Sequence, residues 1–384
     1  MRTKLMRLVM MVFYPAFWER QALWVIPALR RGLALIRERR PDVIYTSTGP
    51  FCSNLIGFFL SRWTGVPWVT DYRDLWTGSW LKWWPTRIHF ELERALERAC
   101  LNRATRVIAN TPAARDTLVR EFPSLDADKV DVIPNGWDEP PETERDVPAP
   151  GAGDGPIVLL HTGSFDAPPA RPVVGGRRSI KAGLRDWIEH RRTEYDLSTH
   201  GPAALFEALA DLRARAPEQV ERLSFHLVGR VATCWVDLAR RLGIEDRVEF
   251  LGPRSFAETR LRQARADVLV LTTVSRRDRG PVPRVNAKIY EYMRAGRPIL
   301  VLSDPGDATR FAEEAGLGWI VSPRDRDEIR EALGRMAEDP ARRLGEFAVR
   351  RSVVESFGAE ALSRRFAETF ERVAEGDVGV RTNA

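Results

Sequence analysis

Cysteine is scarce in this chain: Cys52, Cys100 and Cys234 lie far apart, with no Cys-x-x-Cys pair and no histidine at metal-ligand spacing. That excludes a disulfide framework and a structural zinc site, and makes a reducing cytoplasm the expected compartment. Long apolar runs are missing too. The longest near the start, Leu8 to Trp18, contains Pro15 and ends at Glu19-Arg20; a membrane-spanning helix needs about 20 apolar residues. Phe17-Trp18-Glu19-Arg20 offers no small-residue cleavage site, so the run does not read as a signal peptide. Acids are few at the front: residues 1–40 hold nine Arg/Lys and two acids, whereas the whole chain balances 59 against 53 for a net charge of +6. A polyanion-binding stripe, a solvated helix face near anionic lipid, and simple solubility all remain open readings of that bias. No Walker motif, Gly-x-Gly-x-x-Gly, His-Glu-x-x-His or Ser-His-Asp order occurs, which argues against kinase, dehydrogenase and hydrolase chemistry.

What is present is apolar material for more than one core: 44% of 384 residues are hydrophobic, with Gly and Pro spread along the chain. At about 150 residues per domain the length suits two or three domains, and collagen-like and coiled-coil chains are excluded. From Pro41 on, β-rich runs alternate with amphipathic stretches. Strands are expected at 42–47, 66–70, 106–109 and 130–133. Between them come helices at 53–63 and 87–102, and one opened by Thr111-Pro112. In the helix over 87–102, Leu92, Leu96 and Ala99 recur at i, i+4, i+7 and predict the buried face. Residues 139–155 are rich in Pro and Gly without periodicity and read as an interdomain linker. The alternation then restarts at Ile157 and continues through the helix over 326–337. Such alternation predicts two doubly wound α/β domains with parallel sheets. Residues 166–200, polar and Arg-rich, read as an insertion or lid.

Ligands of parallel sheets sit at the carboxyl ends of the strands, so candidate site residues are sought there. His161-Thr-Gly-Ser164 follows one strand: Gly163 permits a tight turn that brings backbone N–H groups, Ser164 included, toward a phosphate, or is an ordinary strand-to-loop glycine. Gly229-Arg230 ends another strand and pairs a turn with a cation. Lys288 and Glu291 lie three apart near a helix start, hence on one face: a diphosphate and ribose grip, or a surface ion pair. In the first half, Asp71-Tyr-Arg-Asp74 crowds Asp71, Arg73 and Asp74 after a strand, either facing a ligand or paired with one another. Thr48-Gly49, Trp76 and Asn135 also end strands or lie beyond them. Trp63, Trp68, Trp76, Trp80, Trp83 and Trp84 bunch within 22 residues, as core or as a sugar- or membrane-facing cluster.

Together, Asp42-Val-Ile-Tyr, Gly65-Val-Pro-Trp-Val-Thr-Asp-Tyr-Arg-Asp-Leu-Trp, Val107-Ile-Ala-Asn-Thr, Val132-Ile-Pro-Asn-Gly and Lys288-Ile-Tyr-Glu-Tyr-Met-Arg-Ala-Gly-Arg-Pro-Ile-Leu resemble the family-4 glycosyltransferases of the GT-B fold, in the flavour of the bacterial surface-polysaccharide group. The resemblance runs from about residue 40 to the end, excluding 166–200. It implies two Rossmann-like domains: residues 1–138 on the acceptor side, and 156–350 binding the nucleotide sugar. The helix in 351–376 would cross back to the first domain. It implies retaining sugar transfer from a nucleotide-sugar donor to a saccharide or polyprenyl-linked acceptor, with no obligatory metal, no cofactor and no nucleic-acid partner. The protein would be cytoplasmic and peripheral at the inner membrane face.

Glu291 matches the second glutamate of the family's Glu-x7-Glu pattern, while Pro283 stands at the first. His161, Gly163, Ser164, Gly229, Arg230, Lys288 and Glu291 then form the donor side; Thr48, Gly49, Trp76 and Asn135 the acceptor side; and Asp71, Arg73 and Asp74 the catalytic cluster. Relatives open with a strand and a glycine-rich loop where this chain has a basic helical segment. That departure implies an incomplete first sheet, from a late start or a fragment, and an impaired pseudoenzyme or nucleotide-sugar-binding partner as the alternative function.

Overall fold

A computed structural model describes the chain except residues 1–18, 20, 80–81, 139–146, 154, 168–189, 192–194 and 377–384. The basic start, Trp80, half of the linker and most of the insertion therefore lie outside the described residues. The fold divides into two compact units, the first made of the chain to Pro134, residues 173–193 and the chain from Leu362, the second of the remainder.

In the first unit, helix α1 (Val25–Arg39) precedes β1 (Ile44–Ser47), α2 (Cys52–Thr64), β2 (Trp68–Tyr72), the short β3 (Trp83–Trp84), α3 (Arg87–Arg103), β4 (Arg106–Ala109), α4 (Pro112–Glu121) and β5 (Val130–Val132). The sheet is fully parallel in the order β1-β2-β4-β5. Local chemistry sets the helix limits. Gly65 closes α2 at φ 79°. Thr86 and Thr111 cap α3 and α4 by accepting from His89 N and Ala114 N, with Pro112 opening α4. One sheet face packs Trp68, Tyr72 and Val107 under Ile56, Leu60, Leu101 and Leu118 of the helices. The other face, with Val69, Ile108 and Ile133, is covered by Leu362, Phe366, Phe370 and Val373 of the helix Ala359–Ala374.

Helix α3 corrects the expected burial. Its buried side chains are Phe90, Glu93, Glu97, Cys100 and Leu101, whereas Leu92, Leu96 and Ala99 face solvent. The acids are drawn inward by partners from the loop after β2. Trp76 Nε1 donates to Glu93 at 2.8 Å, Thr77 N donates to Glu97 at 2.9 Å, and Lys82 pairs with Glu93. Burial pushes the Glu97 carboxyl up to about 7. Of the tryptophan cluster, Trp68, Trp76 and Trp84 are wholly buried and Trp63 is exposed.

The second unit alternates as regularly. It contains β6 (Ile157–Thr162) and β8 (Tyr195–Asp196); between them in sequence, β7 (His190–Arg191) pairs with β3 and is part of the first unit. There follow α5 (Ala203–Arg215), β9 (Leu223–Val228), α6 (Thr233–Arg241), β10 (Val248–Gly252), α7 (Phe256–Arg265), β11 (Val268–Thr272) and β12 (Ser275–Arg276). It ends with α8 (Lys288–Ala295), β13 (Ile299–Leu302), α9 (Asp307–Glu314), β14 (Gly318–Val321) and α10 (Arg326–Glu338). The helix Ala359–Ala374 is α11. Six strands run parallel in the order β10-β9-β6-β11-β13-β14, between two apolar clusters. The end of the expected insertion is part of this unit: β8 pairs antiparallel with β12, and Thr199 Oγ1 donates to Thr273 O at 3.1 Å.

Candidate functional site

In the second unit β6 and β9 end side by side, with Thr162 opposite Val228. Gly163 and Gly229 follow with φ of 132° and 136°, a region where an L side chain is strained. Gly163 N donates to Val228 O at 2.7 Å, and Phe165 N donates to Arg230 O at 2.9 Å, so the two loops cross in contact. A Cβ on Gly229 would strike the Gly163 carbonyl, and one on Gly163 would strike the end of Lys288. The glycines thus bring two backbones together and lay the Lys288 ammonium across the turn.

Lys288 opens α8, where the helix dipole already favours an anion. Its Nζ lies 3.4 Å from His161 Nε2. His161 is wholly buried, and its Nδ1 stands 2.9 Å from the Val270 carbonyl, so that nitrogen carries the proton. The Nε2 lone pair then faces the ammonium. Burial, and next the charge of Lys288, holds the imidazole well below its ordinary pKa, hence neutral. Burial also lowers Lys288 to about 8. Among the described residues no carboxylate lies within ion-pair distance of Lys288. A half-buried cation facing a neutral imidazole and lacking a counterion is suited to an incoming anion.

A cavity of about 390 Å³ opens at these strand ends, lined by Gly163, Ser164, Gly229, Arg230, Arg254 and Thr259. Arg254 was not singled out from sequence. The signal was there, since Gly252-Pro253-Arg254 ends β10 as Gly229-Arg230 ends β9. Glu291, one turn beyond Lys288, pairs with Arg294 at 3.1 Å and keeps a quarter of its side chain exposed. The ion-pair alternative is therefore realised, with part of the Glu291 side chain still open to solvent.

The cluster of the first unit is built differently from expectation. The Asp71 carboxylate accepts from Tyr45 Oη at 2.6 Å, Ser47 Oγ at 3.3 Å and Arg73 Nε at 2.7 Å, with only 1% of the residue exposed. Arg73 also donates to the carbonyls of Ile133 and Pro134. The Thr48 hydroxyl accepts from Arg73 N at 2.9 Å, and Thr48 N donates to Asp71 O at 2.8 Å. Asp71 and Arg73 tie the loop after β2 to the ends of β1 and β5, so of the two readings of that crowded strand end the mutual pairing is the one the geometry shows. Asp74 is exposed. Gly49 sits at φ 101°. Trp76 is wholly buried, stacked on Phe51 at 6.0 Å, and so is core rather than an acceptor platform. Asn135 falls in the second unit and is half-buried. Removing the Asp71 carboxylate takes away the counter-charge of the half-buried Arg73 guanidinium. Asp71→Ala should cost about 2–3 kcal/mol in urea unfolding; unchanged stability with abolished activity would restore Asp71 as catalytic.

Among the described residues no group of three or more His, Cys, Asp or Glu is assembled to hold a metal, and no helix is long and apolar enough to cross a membrane.

Comparison with known proteins bears on both units. The Glycosyl transferase 4-like domain model matches residues 5–136, and the Glycosyl transferases group 1 model matches residues 180–339. The 2-deoxystreptamine N-acetyl-D-glucosaminyltransferase of Streptomyces fradiae is 30% identical over 204 residues, 52% of this chain and 46% of that protein. The D-inositol 3-phosphate glycosyltransferase of Nocardia farcinica is 26% identical over 262 residues, 66% of this chain and 50% of that protein. The chain spans about half the length of the curated relatives it matches. Among solved structures, HepE of Anabaena in complex with UDP superposes with a TM-score of 0.60 at 19% identity, covering 90% of this chain and 82% of that one. Sucrose-phosphate synthase of Thermosynechococcus elongatus gives 0.58 at 19% identity, covering 91% and 77%. Both share the fold.

Proposed function

We propose, from the premise that this chain belongs to the family-4 glycosyltransferases of the GT-B fold, that it moves a sugar from a nucleotide-sugar donor to a saccharide or polyprenyl-linked acceptor. The transfer proceeds with retention and serves cell-surface polysaccharide assembly on the inner membrane face. The bond from the anomeric carbon to the diphosphate oxygen breaks, and a bond to the acceptor oxygen forms. The acceptor's proton passes to the departing nucleoside diphosphate. No metal or cofactor has a part in this reading; positive charge for the leaving group comes from Lys288 and Arg230, with Arg254 at the cavity wall. Cations fixed before the reaction stabilise developing charge without reorganising. Glu291 would accept from the ribose hydroxyls through its exposed edge.

The observation that carries the proposal is the Lys288 ammonium, laid over Gly163 where two strands open, with no acidic partner among the described residues. Thermal shift and calorimetry with UDP, GDP and ADP, followed by transfer from labelled nucleotide sugars to crude lipid-linked acceptors, test it. Absence of any nucleotide binding defeats it. Pro283, standing where the family's first glutamate would contact the donor sugar, favours a second reading as a nucleotide-sugar-binding partner protein. Binding without turnover would establish that reading instead. In the enzyme, Glu291→Ala should raise the donor KM at least about tenfold with a smaller change in kcat, the mark of lost binding common to ground and transition states. An unchanged KM removes Glu291 from the site.

A further inference from the structure

We infer that the outer face of the α1–α2–α3 layer is a docking surface for an anionic membrane. In purpose this rests on the lipid-linked acceptor proposed above; in evidence it stands on this face alone. Helices α1 and α2 pack side by side, as do α2 and α3, and Gly32 sits against the Leu60 side chain. Among the described residues, eight of the eleven exposed large hydrophobic side chains lie on this layer or the turn that opens it. On α3, Ile88, Leu92 and Leu96 form a line at i, i+4, i+8, exposed by 71%, 53% and 42%. Trp63 stands out from the end of α2, and Leu23, Trp24 and Ile26 from the start of α1.

The line on α3 is not an accident of a loosely placed helix. Glu93 and Glu97 are fixed inward by Trp76, Thr77 and Lys82, which forces the apolar stripe outward.

Charge identifies the occupant. The exposed acids of these helices are already taken, Glu38 by Arg39 at 3.2 Å and Glu91 by Arg87 at 3.6 Å. Arg30, Arg31, Arg37, Arg40, Arg62 and Arg98 form no ion pair among the described residues. A face that mixes indole rings, aliphatic side chains and unpaired guanidinium groups meets its complement in lipid headgroups. Phosphates match the arginine fork, and the interfacial zone accepts tryptophan. A second copy of this chain would set these arginines against themselves across a two-fold axis.

Co-sedimentation of the full chain with phosphatidylglycerol–phosphatidylcholine vesicles, beside pure phosphatidylcholine, tests the inference. The chain should pellet with the anionic vesicles, with a blue shift in tryptophan emission, and should release as sodium chloride approaches 1 M. Arg30→Ala/Arg31→Ala should weaken binding about 30-fold, at about fivefold per arginine, and Leu92→Ser/Leu96→Ser about tenfold. Equal pelleting with neutral vesicles, unchanged binding by both variants, or self-association in place of vesicle binding overturns it. UDP calorimetry on the same variants should be unaltered. Should wild type bind vesicles but not UDP, the transferase reading fails and the docking surface stands.

Discussion

Lys288→Ala lowers kcat/KM for the nucleotide-sugar donor about 100- to 1,000-fold, the range for losing one preorganised charge partner of a leaving group. Lys288→Arg keeps the charge but not the fit over Gly163, and should recover part of the loss. The pH profile carries a sharper test. Because burial holds Lys288 near 8 rather than 10.5, the ammonium is present below pH 8 and lost above it. Donor affinity should therefore fall as pH rises through about 8, by up to tenfold per unit. Stability should move the other way. Between pH 8 and 10.5 the unfolded chain holds a proton at this lysine that the folded chain has shed, so the fold gains as pH rises. The neighbouring groups do not confuse the pH profile: His161 and His200 are held below their ordinary values by burial and then by Lys288. A pH-independent UDP affinity between 7 and 9.5, read by calorimetry, would remove Lys288 from the donor site.

Gly229→Ala has the largest expected structural effect. The residue stands at φ 136°, and its new methyl would overlap the Gly163 backbone, which no rotamer change relieves. Backbone strain of about 1–3 kcal/mol adds to the overlap, so a loss of about 3 kcal/mol or more is expected in urea unfolding, together with loss of nucleotide binding. Gly243→Ala is the control. It also has positive φ, at 65°, but open space around it, and should cost only about 1 kcal/mol. Equal costs at the two positions would falsify the account of the crossing loops.

The strand ends were legible because parallel strands in α/β units announce themselves as short apolar runs bounded by turn residues. Leu223–Val228 is observed as expected, and the His161 and Gly229 turns stand at adjacent strand ends. Helix α3 was misread because periodicity ranks residues by polarity alone. Glu93 and Glu97 turn inward because Trp76, Thr77 and Lys82, from a separate loop, hydrogen-bond and pair with them. At Asp71 the sequence leaves two readings open for the same reason. Its partners Tyr45 and Ser47 lie on a neighbouring strand, and a crowded strand end looks alike whether its charges face a ligand or one another. Arg254 was legible as well, since its Gly-Pro-Arg setting at the end of β10 parallels Gly229-Arg230 at the end of β9.

Because Leu362, Phe366, Phe370 and Val373 of α11 complete a sheet face whose strands end by residue 132, the first unit cannot finish folding when its own strands emerge from the ribosome. It must wait on the order of 10–45 s while the whole intervening unit is synthesised. Throughout that interval Val69, Ile108 and Ile133 are left open to chaperones or to mispairing. A stop codon or stalled translation shortly before the last helix would therefore injure the half of the protein made first.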